Sequence, residues 1–213
     1  MKTKDYILQL IDEGEHEHQD FKYQISDAKK IARSISAFAN NSGGRLLVGV
    51  KDNGHIAGVK SDEEIYMIEQ AATMYCRPEQ QMNFQLFKVE GKSVLLAEVA
   101  EAQVKPVQAP DENGHWKVYY RVADENLLAS GVHVKALKHK NCDEDGALLN
   151  FSEKERELLE YLDLHGGITL SGFSKLAHIS RFAAEDAIVK LLEMNVITLN
   201  YHNGTCLITK SNK

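Results

Sequence analysis

Two linked stretches decide the reading of this chain: Glu15-His16-Glu17-His18-Gln19-Asp20-Phe21-Lys22, and Phe38-Ala39-Asn40-Asn41-Ser42-Gly43-Gly44-Arg45-Leu46-Leu47-Val48-Gly49-Val50-Lys51-Asp52-Asn53-Gly54. Between them Ala28, Ile31, Ala32, Ile35, Phe38 and Ala39 recur at helical spacing, and Ser26-Asp27 supplies a cap. Asp20 to Ile25 reads as a strand, with Phe21, Tyr23 and Ile25 on one face and Asp20, Lys22 and Gln24 on the other. Gly43-Gly44 stops the helix and lets a strand pack closely. Leu46 to Val50 is apolar on both faces, as a central buried strand is. The order is strand, helix, strand, bracketed by acids. If the fold brings those acids together, they form a cluster suited to a divalent cation or to steering a phosphate backbone.

Around this unit, Lys4 to Glu13 reads as a short helix stopped by Gly14. Ser61 to Glu64 is a capping box opening a helix to about Cys76, with Pro78 beyond it. Phe84–Val89 and Ser93–Val99 flank the tight-turn pair Glu90-Gly91. Lys105 starts an extended segment, Asp111 to Gly114 turns it, and Trp116 to Val122 is another strand. The pattern changes after a polar linker at residues 140–150. Ser152 and Glu155 form a second capping box, Thr169 to Ala177 is a short helix, and Ser180 caps a third. Val196–Leu199 and Cys206–Thr209 flank Asn203-Gly204, a hairpin signal. Three helices and a hairpin in this order predict a winged helix-turn-helix. The expected fold class is α+β: a mixed domain over residues 1–139, then a winged helix over 151–213.

Composition narrows the function classes. The 213 residues are 43% hydrophobic and 26% charged, ordinary for a soluble protein. No apolar run reaches the roughly 18 residues of a membrane span. Three scattered cysteines argue against a disulfide framework. Together with a start that lacks a signal peptide's apolar stretch, they lead us to expect a cytoplasmic protein. The net charge of −6 weighs against strong non-specific DNA binding but permits a local basic face. No G-x-x-x-x-G-K-[ST] run appears, which excludes a Walker-type ATPase. Ser36 and Ser42 have no identifiable catalytic base.

Glu15, Asp20-Phe21-Lys22, the Ala37-Phe38-Ala39-Asn40 helix end, Gly43-Gly44, Val48-Gly49-Val50, Asp52 and Gly54 resemble the Schlafen AlbA-like domain. Lys105-Pro106-Val107 and Tyr120-Arg121-Val122 extend the resemblance to about residue 130. It implies a nucleic-acid-associated protein, in bacteria a DNA-binding transcriptional regulator. Some animal members look like metal-dependent ribonucleases with three acidic residues. By position those acids are Glu15, Asp20 and Asp52, which would take magnesium or manganese. This chain departs from the family pattern in having Asp20 where Glu is usual and Ala123-Asp124 where Gly-Ser is usual.

Each of these residues also has a plainer reading. Glu15 and Asp20 suit a solvated strand approach with a salt bridge to Lys22, Asp52 suits a β-turn, and His16 and His18 suit an exposed surface. The expected nucleic-acid contacts are Lys22, Lys29, Lys30, Arg33, Arg45 and Arg121 in the first domain, and Arg181 and Lys190 on the third C-terminal helix. That helix also exposes Glu185, Asp186 and Glu193, which repel DNA, so docking of a protein partner is the alternative use. DNA is the favoured partner over RNA, in a homodimer reading two half-sites. A module for protein interaction alone is the remaining alternative.

Overall fold

The computed structural model describes residues 4–59, 62–139, 152–202 and 205–211. Two compact units form, Met1–Leu128 and Ala129–Lys213.

In the first unit, α1 (Lys4–Glu13) leads to β1 (Gln19–Lys22), α2 (Ala28–Asn40) and β2 (Gly44–Val48). Strand β1 pairs in parallel with β2, placing Asp20 opposite Leu46, and α2 is the crossover between them. The Asp27 carboxylate caps α2 by accepting from the backbone N–H groups of Lys29 and Lys30, worth about 1 kcal/mol. After α3 (Glu63–Met74), the hairpin β3 (Met82–Val89) and β4 (Lys92–Val99) completes a four-stranded sheet of order β1-β2-β4-β3. Its turn is Glu90-Gly91, both at positive φ. The capping box expected before α3 begins on Ser61, outside the described residues.

The sheet buries both faces. One carries Leu46, Val48, Leu95 and Ala97 against Ile31, Ile35 and Phe38 of α2 and Ile68 of α3. The other carries Phe21, Leu47, Val94 and Leu96 against Ile7 and Leu10 of α1. Burial on both faces explains the apolar run at 46–50. Gly44 lies so close to Phe38 that an added Cβ would stand 2.2 Å from its ring. Gly49, at φ +90°, presses on the backbone of Gly58 and Val59, a position only glycine fills without strain. A second sheet, β5 (Gln108–Pro110), β6 (Trp116–Val122) and β7 (Glu125–Leu128), packs on α2. Cys76 is buried and its thiol is pushed up to about 12 by desolvation, which leaves it inert.

The second unit begins with α4 (Gly131–His139), placed by the sequence reading in the first domain. Then come α5 (Glu153–His165), β8 (Gly167–Ile168), α6 (Leu170–Leu176), α7 (Arg181–Glu193), β9 (Ile197–His202) and β10 (Thr205–Lys210). The predicted capping box of Ser152 and Glu155 is present, as are the Thr169 and Ser180 caps. The small sheet has order β8-β10-β9. Leu158, Phe173, Ala184, Ile188 and Leu191 make the core, with Val132 of α4 joining it. The predicted turn at Asn203-Gly204 and the linker at 140–150 lie outside the described residues. The chain is α+β, and no described helix is long and apolar enough to cross a membrane.

Candidate functional site

The acids before and within β1 fold onto a buried polar knot. His16 and Gln19 close a tight turn through reciprocal backbone hydrogen bonds of 3.0 and 3.1 Å. The turn brings Glu15 back over the strand, where its Oε1 accepts the Phe21 N–H at 2.8 Å. The Glu15 carboxyl lies near enough to Asp20 for the two acids to feel one another. Asp20 is 4% exposed. Its Oδ2 lies 2.8 Å from Lys22 Nζ, and its Oδ1 lies 3.5 Å from Arg121 Nη2.

Arg121 is the centre of the knot. Its side chain is fully buried, with the guanidinium 4.8 Å from the Phe38 ring centroid. Nε donates to His16 O at 3.1 Å, Nη2 to Gln19 O at 3.1 Å and Nη1 to Asn126 Oδ1 at 3.0 Å. Asn126 Nδ2 donates to Ser34 Oγ at 2.9 Å, and Ser34 donates to Asp20 Oδ2 at 3.4 Å. Asp20, Arg121, Asn126 and Ser34 thus close a ring that joins β1, β6, β7 and α2. Arg121, expected to touch nucleic acid, is an internal strut whose donors are spent on protein oxygens.

The other predicted residues separate by surroundings. Arg45 is half-buried and holds Gln19 Oε1 and Glu13 Oε2, both at 2.7 Å. Gln19, fully buried, donates to the Leu10 and Gly14 carbonyls and so closes the end of α1. Arg33 donates to Pro110 O at 3.0 Å and lies 3.7 Å from the exposed Glu112 carboxylate. Lys29 and Lys30 are exposed at the start of α2. In the second unit, Arg181 pairs with Glu185 at 3.2 Å and Lys190 with Glu155 at 3.1 Å.

The donor set does not fit a divalent cation. Glu15 and Asp20 are together, but Asp20 already faces an ammonium and a guanidinium. Asp52 lies in an exposed turn after β2. Among the described residues no three carboxylate, imidazole or thiol groups gather as a metal site would need. His16 and His18 do not make a ligand pair. The His18 backbone N–H donates to His16 Nδ1, and His18 Nδ1 lies 3.1 Å from Gly43 O. Burial and the nearby Arg45 lower the His16 pKa.

Glu15 titrates above the ordinary carboxylate range, first because it is desolvated and then because Asp20 lies beside it. The folded protein therefore holds this proton more tightly than the unfolded chain. Its contribution to stability is full below the unfolded pKa and is lost as pH rises through the folded value. Glu15→Gln keeps the acceptor for Phe21 and removes the charge. Its stability relative to the parent is expected to climb as pH rises through and above the ordinary carboxylate range. Urea unfolding of both proteins at several pH values checks this, and parallel curves would refute it.

A second assembly lies beside α2, and of its residues only Lys29 and Arg33 are among the contacts expected from the sequence. The Arg77 guanidinium stacks 3.8 Å from the Trp116 ring centroid. Lys29 Nζ stands 5.8 Å from the Tyr75 ring centroid, and Arg33 reaches the β5 carbonyl of Pro110. The Arg77 backbone is fixed by two hydrogen bonds to Gln108, at 2.9 and 2.7 Å. These residues come from α2, the end of α3 and the β5–β6 hairpin, so no local spacing announces their meeting. The sole tryptophan at the head of a strand is the one available hint.

A family model described as Schlafen, AlbA_2 matches residues 15–130, more than half of the chain. No curated protein matches. The DIP2311 protein from Corynebacterium diphtheriae is similar at 21% identity and a TM-score of 0.44, over 66% of this chain and 27% of that one. This chain therefore spans about a quarter of that protein's length. The N-terminal domain of a Nitrosomonas europaea protein, named as related to the ATP-dependent DNA helicase RecG, is similar at 19% identity and a TM-score of 0.40. That match covers 72% of this chain and 99% of that domain. The chain belongs to the Schlafen AlbA_2 family.

Proposed function

We propose that this protein is a nucleic-acid-binding regulator of transcription whose first unit holds the nucleic acid. One observation carries the reading: Lys29, Arg33 and Arg77 stand with Tyr75 and Trp116 beside α2. Cations meet phosphates and flat aromatic faces meet bases, which is how extended nucleic-acid surfaces are built. Exposed Lys30 lengthens the basic edge. Glu112 beside Arg33 is 84% exposed, and so weak and screened a pair yields readily to phosphate.

For the second unit we propose the winged-helix order, with α6 and α7 as the helix pair and β9–β10 as the wing. Three of its cations meet acids: Arg181 through its Nε to Glu185, Lys190 to Glu155, and Lys135 of α4 to Asp186. Lys135 also stands 4.2 Å from the ring centroid of Phe182. Helix α4 thereby crosses the face of α7 that would enter a groove. These pairings favour a protein contact, of which a homodimer is the simplest, and sedimentation tests that part.

Anisotropy titrations of labelled duplex DNA, single-stranded DNA and single-stranded RNA test the whole, with and without magnesium or manganese. Binding is expected to weaken steeply with salt. Arg77→Ala is expected to weaken it by about tenfold to a hundredfold, the range for loss of a stacking platform. Salt-insensitive binding, or an unchanged Arg77→Ala, would remove the proposal. Metal-dependent cleavage lost in Glu15→Ala/Asp20→Ala would instead select the ribonuclease.

A further inference from the structure

We infer that the second unit contains a binding site for a small organic acid. A cavity of about 330 Å³ opens between the start of α4, the starts of α6 and α7, and strands β9 and β10. Leu170, Leu199 and Ile208 give it apolar walls, and Ser130, Cys206 and Arg181 are among its polar groups. Ligand clefts start at about 300 Å³. This one has the volume of about ten waters, or a ligand with about as many non-hydrogen atoms. Apolar walls with a few converging polar groups are the usual make-up of a small-molecule site.

One wall is held in place by a network that the proposed nucleic-acid contact does not use. Tyr201 Oη accepts the Ser130 N–H at 3.2 Å and lies 3.1 Å from His133 Nδ1. The His133 N–H donates to Ser130 Oγ at 3.2 Å. The contacts tie the start of α4 to β9 and fix the Ser130 side chain against the first turn of the helix. The walls are thus preformed, which lowers the ordering cost of binding.

Charge then selects the ligand. Arg181 is 72% exposed, and only its Nε is engaged, by Glu185 Oε1 at 3.2 Å. Its two terminal nitrogens have no partner among the described residues. Such a fork takes a carboxylate through two parallel hydrogen bonds. An acid with a short apolar body places its carboxylate on Arg181 and its body against Leu170, Leu199 and Ile208. Inorganic phosphate would satisfy the arginine and leave the apolar walls unused. The site stands whether or not the first unit binds nucleic acid.

The test uses the full chain with benzoate and hexanoate as probes, and with benzamide, hexanamide and inorganic phosphate as controls. Saturation-transfer NMR should show both acids bound at about millimolar dissociation constants, fitting their size. The amides and phosphate should bind about tenfold more weakly or not at all. Arg181→Gln, at an exposed position that folding does not need, should bring the acids down to the amides. Benzoate should also slow iodoacetamide alkylation of Cys206, read on its peptide by mass spectrometry. Binding by none of the probes, equal binding of acids and amides, an unaffected Arg181→Gln, or unprotected Cys206 would each overturn the inference.

Discussion

Arg121→Met is expected to cost about 3–5 kcal/mol of folding stability, the range for breaking a buried ion pair from one side. Asp20 would keep Lys22, and the His16 and Gln19 carbonyls would keep each other's backbone N–H, but each would lose its second donor and the amide oxygen of Asn126 would lose Arg121 altogether. Each buried group left without a partner costs about 1–3 kcal/mol. Methionine follows the path of the arginine stem past Phe38, so packing loss is the smaller part. Urea unfolding of parent and variant measures the difference, and an unchanged m-value would show that both unfold from comparable states. Asp20→Leu/Arg121→Met should recover part of the loss, because a neutral pair leaves no uncompensated charge. A loss below about 1 kcal/mol, with nucleic-acid binding abolished, would return Arg121 to the contact role that its position in the sequence suggests.

Arg121 also shows why the site was only half legible. The strand-helix-strand unit was read correctly because its signals are local: the 3.6-residue spacing of α2, the Asp27 cap and the Gly43-Gly44 stop. The same holds for the Ser152, Thr169 and Ser180 caps of the second unit. Strand β1 is shorter than expected. It ends at Lys22, so Tyr23 is left exposed and Ile25 joins the α2 core. Helix α4 opens on Gly131 with no acidic residue in its first turn, and its one local mark is Ser130, whose Oγ accepts the His133 N–H. Its allegiance to the second unit depends on Val132 meeting a core formed by much later residues. The meeting of Glu15 with Asp20 was implied by the order of the acids. Their burial was not, because a charged side chain reads as surface until its partners are known. Ser34, Arg121 and Asn126 lie on three other elements, and only folding brings them to Asp20.

The same reasoning gives Asn40→Ala an expected cost of about 2–4 kcal/mol, since one small side chain there serves three backbone groups. Asn40 is buried at the end of α2. Its Oδ1 accepts the Val107 N–H at 2.7 Å, and its Nδ2 donates to Val107 O and Tyr119 O, both at 2.8 Å. Val107 O has a second donor in Ser36 Oγ at 2.9 Å, so the unsatisfied groups would be the Val107 amide and the Tyr119 carbonyl. The neighbouring end of α2 is secured separately, because Lys105 Nζ donates to the carbonyls of Asn40 and Asn41 at 2.8 and 2.9 Å. The helix end should therefore survive, while the clasp between α2 and the β5–β6 sheet loosens. Hydrogen exchange separates the two outcomes: the Val107 amide should lose protection while the amides in the middle of α2 keep theirs. Asn40→Asp sharpens the test. At neutral pH its carboxylate still accepts from Val107 but turns a second oxygen toward two carbonyls, so the variant should be no more stable than Asn40→Ala. Acidification returns one donor to that position, and the aspartate variant should then gain on the alanine variant. If both variants kept parental stability and Val107 stayed protected, the clasp would not be what joins the second sheet to α2. The surface formed by Lys29, Arg33, Arg77 and Trp116 would then need another source of rigidity.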